Sequence, residues 1–134
     1  MRRGTPGLPR EPIVDSAGAA ALLAPAFEGL CLERLGVLHL DEHFRPIRLA
    51  LTPRGTSHAV TVPVRAMMGE ALRLGSRLLI LAHNHPAGDP SPSRADRSVT
   101  RRLVEVAAAL EIAVIDHLIF ATPEWISFRA MGLM

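Results

Sequence analysis

Hydrophobic residues recur along this chain with two different periods, and the switch between them divides it into elements. Residues 1–14 hold Gly4, Pro6, Gly7, Pro9 and Pro12 among few large apolar side chains, which predicts a flexible arm with order starting near Asp15. Asp15 or Ser16 can cap an Ala-rich helix over 17–30, bent or divided by Pro25. Residues 35–40 read as a strand, 41–45 as a turn and 47–52 as the antiparallel partner, with a further turn at 53–55 leading to a short strand at 58–62. From Val64 the period becomes helical. Val64, Met67, Met68, Ala71, Leu72 and Leu74 fall mostly on one stripe and Gly75 stands where a left-handed cap belongs, predicting a helix over 64–74. Residues 77–82 are a short, continuous apolar run, the pattern of a central strand buried on both faces. It is flanked by the helix at 64–74 and by a second at 93–110, whose apolar face is Leu103, Val106, Ala107 and Leu110. Between strand and helix, Pro86, Gly88, Pro90 and Pro92 fix a stiff loop. A last strand pair, 112–120 and 125–128, completes an α/β (α+β) class with a mixed β-sheet flanked by helices.

Composition narrows the picture. A chain of 134 residues, 49% hydrophobic, has the size and polarity of one domain over 15–134 with one core. No apolar run approaches the roughly 20 residues of a membrane span. Arg2-Arg3 ahead of the Ala-rich stretch suggests a twin-arginine export signal, but Glu11, Asp15, Gly18 and Pro25 break that pattern, so a cytoplasmic chain is expected. The single cysteine, Cys31, excludes an internal disulfide and a Cys-rich zinc module and reads as a small buried hydrophobe. Any metal must therefore use His and carboxylate. All 15 basic residues are Arg, yet the net charge is only +2 and acids are interleaved. With four Phe and Trp125 as the only aromatics, nucleic acid stays an open partner that the composition does not indicate. Arg94, Arg97, Arg101 and Arg102 read as a solvated helix face. His39, His43 and His58 are expected at surface or edge positions. His117, beside Asp116 in an apolar strand, reads as a core histidine or one that supports a ligand.

Three residues carry the candidate chemistry: His83 and His85 at the end of the buried strand, and Asp96 beyond the proline-braced loop. On extended backbone, residues two apart project to the same side, so both imidazoles can aim at one point; on a helix they would diverge by about 200°. Two imidazoles and a returning carboxylate form a ligand set that zinc accepts, with a fourth position left for water. Ser93-Arg-Ala-Asp96 is also a capping-box spacing, so Ser93 and Asp96 have a structural reading beside the chemical one. A metal-dependent nuclease is less well matched, because such sites tend to gather several carboxylates and only Asp89 is a further acid nearby.

The string His83-Asn84-His85-Pro86, six residues, then Ser93 and Asp96, resembles the signature of the JAB/MPN+ metalloprotease domains of the JAMM type. Residues 33–128 resemble the C-terminal domain of bacterial RadC proteins, with flanking matches at Leu40-Asp41, Arg54-Gly55-Thr56, Val64-Arg65, Gly88-Asp89-Pro90, Thr100 and Asp116-His117. The resemblance implies a cytidine-deaminase-like JAB/MPN fold, with His83, His85 and Asp96 as Zn2+ ligands. It implies Ser93 as the residue that orients the water and stabilises the oxyanion, and a catalytic Glu on or just before the first core strand. Glu33 occupies that place, with Glu28 and Glu42 as alternatives. The implied activity is hydrolysis of peptide or isopeptide bonds in a peptide or protein substrate, often beside a ubiquitin-like tail. The rival reading is a non-catalytic RadC-like interaction module in DNA repair or mobile-element biology. Residues 1–32 have neither the room nor the Gly-centred hairpins for the helix-hairpin-helix region of full-length RadC proteins, so the DNA-repair association transfers poorly.

Overall fold

The computed structural model describes residues 7–52 and 63–134. In chain order the elements are helix α1 (Ser16–Phe27), strands β1 (Leu35–Leu40) and β2 (Pro46–Leu51), helix α2 (Val64–Leu74), strand β3 (Leu78–Asn84), helix α3 (Arg94–Ala109) and strands β4 (Ala113–Ala121) and β5 (Glu124–Ser127). They form a mixed α+β fold on one five-stranded sheet of order β2-β1-β3-β4-β5. Strand β3 is central, antiparallel to β1 and parallel to β4. The turn expected at 53–55 and the strand at 58–62, with His58, lie outside the described residues.

Local chemistry sets the element ends. Asp15 caps α1 by accepting the Gly18 N–H at 2.7 Å. The helix stops at Phe27, short of the expected residue 30, because Glu28 turns to extended backbone and Gly29 takes φ +72°. Pro25 sits in the last turn without dividing the helix. At the end of α2, Gly75 adopts φ +69°, and the N–H groups of Gly75 and Ser76 return to the carbonyls of Leu72 and Ala71.

Strand β3 is covered on both faces, as a continuous apolar strand must be. Leu79 and Leu81 join Leu35, Val37, Met67, Met68 and Leu103 on one side. Ile80 and Ala82 join Ala19, Leu23, Leu38, Leu118 and Phe120 on the other. The division of labour differs from the expected flanking by α2 and α3: both of these share one face, and α1 covers the other. Parallel strands β3 and β4 need a crossover, and α3 makes it over the face that α2 also occupies. Gly36 admits α1 to its side, since a Cβ there would meet Leu51 Cδ2 at 3.0 Å and Phe27 Cζ at 3.1 Å.

Three expectations are corrected by position. Leu8 and Ile13 already pack against the α1 core, and the Ile13 N–H bonds to the Phe44 carbonyl at 2.8 Å, so ordered contacts begin before Asp15. Cys31 is exposed, because the segment between α1 and β1 runs over the surface. His39 is only 1% exposed, because all six residues of β1 are buried between β2, β3 and the helical layers. Its Nδ1 shares a 2.8 Å hydrogen bond with the Ser76 hydroxyl.

That burial has a measurable consequence. Desolvation pushes His39 down from its usual 6.5 to about 4, with Glu70 pulling it up and Arg48 and Arg73 adding to the depression. Between pH 6.5 and 4 the unfolded chain binds a proton at His39 that the folded chain refuses, so stability falls as pH falls through this window. The loss reaches about 3 kcal/mol by pH 4. His39→Asn keeps a partner for Ser76 and removes the titration. Urea unfolding of the two proteins from pH 7 to 4.5 should therefore show wild type losing stability relative to the variant; parallel curves would show that His39 protonates equally well in both states.

Strand β4 contains a register slip opposite the Leu79/Ile80 step: Leu79 pairs with Val114, but Ile80 pairs with Asp116. The extra residue, Ile115, reverses the alternation that follows. Asp116 therefore points to the α1 side, where Ser16, Ser127 and the backbone N–H groups of His117 and Arg129 surround its carboxylate. His117 points to the opposite face, the one that His83 shares.

Candidate metal centre

Strand β3 carries His83 onto the α3 side, and one residue past the strand's end the His85 N–H bonds to the Phe120 carbonyl of β4 at 2.8 Å. Alternation thus brings both imidazoles to one side, as their spacing predicts. The loop turns back at Gly88, φ +90°, whose N–H bonds to the His85 carbonyl. Asp89 then braces it twice. Its side chain accepts the Ser91 N–H at 2.9 Å, and its carbonyl accepts His85 Nδ1 at 2.8 Å.

Ser93 begins α3 with a full capping box: its hydroxyl oxygen accepts the Asp96 N–H at 3.0 Å, and its N–H donates to Asp96 Oδ2 at 2.8 Å. The cap aims the carboxylate. Asp96 Oδ1 lies 3.2 Å from His83 Nε2 and Oδ2 lies 3.2 Å from His85 Nε2, while the two Nε2 atoms are 2.9 Å apart. These three residues offer ligand atoms close enough to hold a single metal ion, and they are the one such group of three or more among the described residues.

The donor chemistry fits a cation. A carbonyl oxygen can only accept, so His85 Nδ1 carries the hydrogen it gives to Asp89, and in the neutral ring Nε2 is left as a lone pair. Burial alone would raise the Asp96 carboxyl, but the bonds to His83 and His85 and the Ser93 N–H outweigh it and hold it well below the usual carboxylate range. His85 is raised, first by its bond to Asp96 and against the effect of its burial. The carboxylate therefore stays ionised, and without a cation a proton on His85 Nε2 is what serves its contacts with Asp96 and His83; a cation would take that proton's place.

Glu33 lies on the segment ahead of β1, half-buried, with Oε1 3.8 Å from His85 Nε2. The structure thus brings Glu33 to the group and leaves its alternatives outside. Glu28 is the exposed C-cap of α1. Glu42 lies in the β1–β2 turn beside His43, at the far end of β3, because antiparallel pairing puts Leu35 opposite His83 and Leu40 opposite Leu78.

Two residues matter more here than their sequence pattern shows. Asn84 points away from the imidazoles and clasps the backbone on either side of Glu33: its Oδ1 accepts the Arg34 N–H at 2.8 Å and its Nδ2 donates to the Leu32 carbonyl at 3.0 Å. Thr100 lies one helical turn after Asp96; its hydroxyl bonds to the Asp96 carbonyl at 2.7 Å and meets His117 Nδ1 at 2.6 Å. Thr100 stands among the flanking matches of the family resemblance, and its four-residue spacing from Asp96 places it on the same helical face; neither names His117 as its partner. His117 in turn places Nε2 2.7 Å from His83 Nδ1. Its ring stacks on Phe128 at 4.6 Å, and burial pushes its basicity well below the usual value, with His83 lowering it further.

Comparison with known proteins adds a lineage. Residues 13–133 match the family model described as the RadC-like JAB domain. The chain is 36% identical over 134 residues to UPF0758 protein STH371 of Symbiobacterium thermophilum, a match covering all of this chain and 57% of that protein. It is 39% identical over 100 residues to UPF0758 protein VP0184 of Vibrio parahaemolyticus, covering 75% of this chain and 45% of that protein. The chain spans about half the length of the curated relatives it matches. No helix among the described residues is long and apolar enough to cross a membrane.

Proposed function

The chain belongs to the RadC-like JAB domain family, and from that premise we propose that it is a zinc-dependent hydrolase of peptide or isopeptide bonds. The observation that carries this reading is the convergence of His83 Nε2, His85 Nε2 and the Asp96 carboxylate, with the Glu33 carboxylate 3.8 Å from one of the nitrogens. His83, His85 and Asp96 are the residues that would hold the ion, a set that leaves a tetrahedral ion one open position. Zinc bound there supplies Lewis acidity and makes water a nucleophile near neutral pH.

The remaining steps belong to side chains. Glu33 takes the proton released from water and hands it to the departing amine, the work of a positioned general acid–base group. Its partial exposure lets it reach both water and substrate. Ser93 accepts the Asp96 N–H through its oxygen, which leaves its own hydrogen free to meet the oxyanion that develops on the scissile carbonyl. The substrate class is a peptide or protein amide, including one beside a ubiquitin-like tail, and the compartment that suits a chain with one exposed cysteine is the reducing cytoplasm.

Purified protein is expected to hold one zinc per chain by elemental analysis and to cleave a panel of peptide and isopeptide substrates. His83→Ala and Asp96→Ala should each lose the metal and the cleavage together. Stoichiometric zinc with no turnover on any substrate would favour the interaction-module reading. Absence of metal uptake, with His83→Ala matching wild type in zinc titration, would remove the hydrolase proposal altogether.

A further inference from the structure

We infer that Thr100 and His117 are positioning residues that fix which nitrogen of His83 is offered to the metal. The inference rests on the reading of His83 as a ligand and assigns the device that makes it one. It follows from counting hydrogens along a chain of short contacts. Thr100 has a single hydroxyl hydrogen, and the Asp96 carbonyl, 2.7 Å away, can only accept it. Thr100 Oγ1 must then be the acceptor in its 2.6 Å contact with His117 Nδ1, so that nitrogen carries a hydrogen. In a neutral imidazole Nε2 is then bare, and at 2.7 Å it accepts from His83 Nδ1. With its hydrogen committed there, the neutral His83 ring presents a lone pair at Nε2, the atom that faces Asp96 and that can accept from His85 Nε2 at 2.9 Å when no cation is bound.

The opposite proton order fails at Thr100. If His83 carried its hydrogen on Nε2, the chain would reverse and Thr100 would need to donate to both His117 Nδ1 and the Asp96 carbonyl with one hydrogen. Two oxygens, or an oxygen and a nitrogen, would then face one another at 2.6–2.7 Å with nothing between them. Every member of the relay is also held by the fold. Thr100 is buried on α3, the β4 register slip turns His117 toward it, and Phe128, fully buried, stacks on the His117 ring. Asp96 therefore acts at both ends: its carboxylate lies among the candidate ligand atoms while its backbone carbonyl sets the direction of the relay that orients the other ligand. Outer partners of this kind commonly tune a ligating histidine.

Thr100→Val is close to isosteric, removes the hydroxyl and is the decisive variant; Thr100→Ser restores it. Zinc affinity of the full chain, measured by competition with a chromophoric chelator at fixed pH, is expected to fall by about 10–100-fold in Thr100→Val and to recover in Thr100→Ser. In metal-free wild type, nitrogen-15 NMR of the histidine rings should find His83 with its hydrogen on Nδ1, and Thr100→Val should contain a mixture of tautomers. Urea unfolding of each variant identifies any loss caused by misfolding, and His117→Phe, which keeps the stacking on Phe128, gives an independent second break in the relay. An Nε2–H tautomer at His83 in wild type overturns the inference, as does unchanged zinc affinity in both Thr100→Val and His117→Phe. Failure of the metal reading itself is distinct: wild type would then take up no more zinc than His83→Ala, and the relay would have nothing to position.

Discussion

Glu33→Ala should keep its zinc and its fold while amide cleavage falls by about 10²–10⁴-fold, the contribution of a well-placed general acid–base group. The expectation rests on where Glu33 sits. Its carboxylate is near His85 Nε2 but belongs to a chain segment outside the three-residue group that can hold the ion, so removing it takes away a proton carrier and leaves the ligand set whole. Elemental analysis and unfolding curves should therefore match wild type, and kcat should carry most of the loss. Glu33→Gln, which keeps size and hydrogen bonding, should be about as inactive as the alanine variant. Wild-type rates in either variant would mean that a different group moves the proton.

Ser93→Ala should show two losses that can be separated. As the N-cap of α3, Ser93 should cost about 1 kcal/mol of stability when its oxygen is removed. As a donor to the developing oxyanion, it should cost about 10²–10³ in kcat. Ser93→Asp separates the roles, because Asp is a good cap but offers no hydrogen when ionised; it should regain the stability and not the rate. Ser93→Thr should recover both. If Ser93→Asp is as active as wild type, the hydroxyl has no part in the chemistry and the capping box alone explains its presence.

Most of this architecture is written in local pattern. Residues 35–40 and 64–74 fold over the predicted spans, and β3 is central because an apolar run with no polar alternation has to be covered twice. The convergence of His83 and His85 follows from strand alternation, and the arrival of Asp96 from a capping box placed after a proline-braced loop. The features that escaped depend on contacts between distant residues. One added residue at Ile115 decides which face His117 meets, and no periodicity within β4 announces a slip defined only against β3. The burial of His39 comes from β1 lying inside the sheet, which a single strand pattern does not reveal. Thr100 and Asn84 belong to the resembled pattern, but only the fold puts their partners beside them.

The clasp made by Asn84 bears on how Glu33 holds its place. Glu33 belongs to an irregular segment, and segments of that kind drift relative to the sheet they adjoin. Asn84, however, is the immediate chain neighbour of both His83 and His85, and it grips the peptide groups before and after Glu33. The two hydrogen bonds thereby tie the segment that carries Glu33 to the strand that carries His83. A group borne on a loop acquires the tolerance of one built on a strand. The cost falls on sequence freedom: position 84 must present one acceptor and one donor at a fixed span, a demand that Asp, Ser or Leu cannot meet.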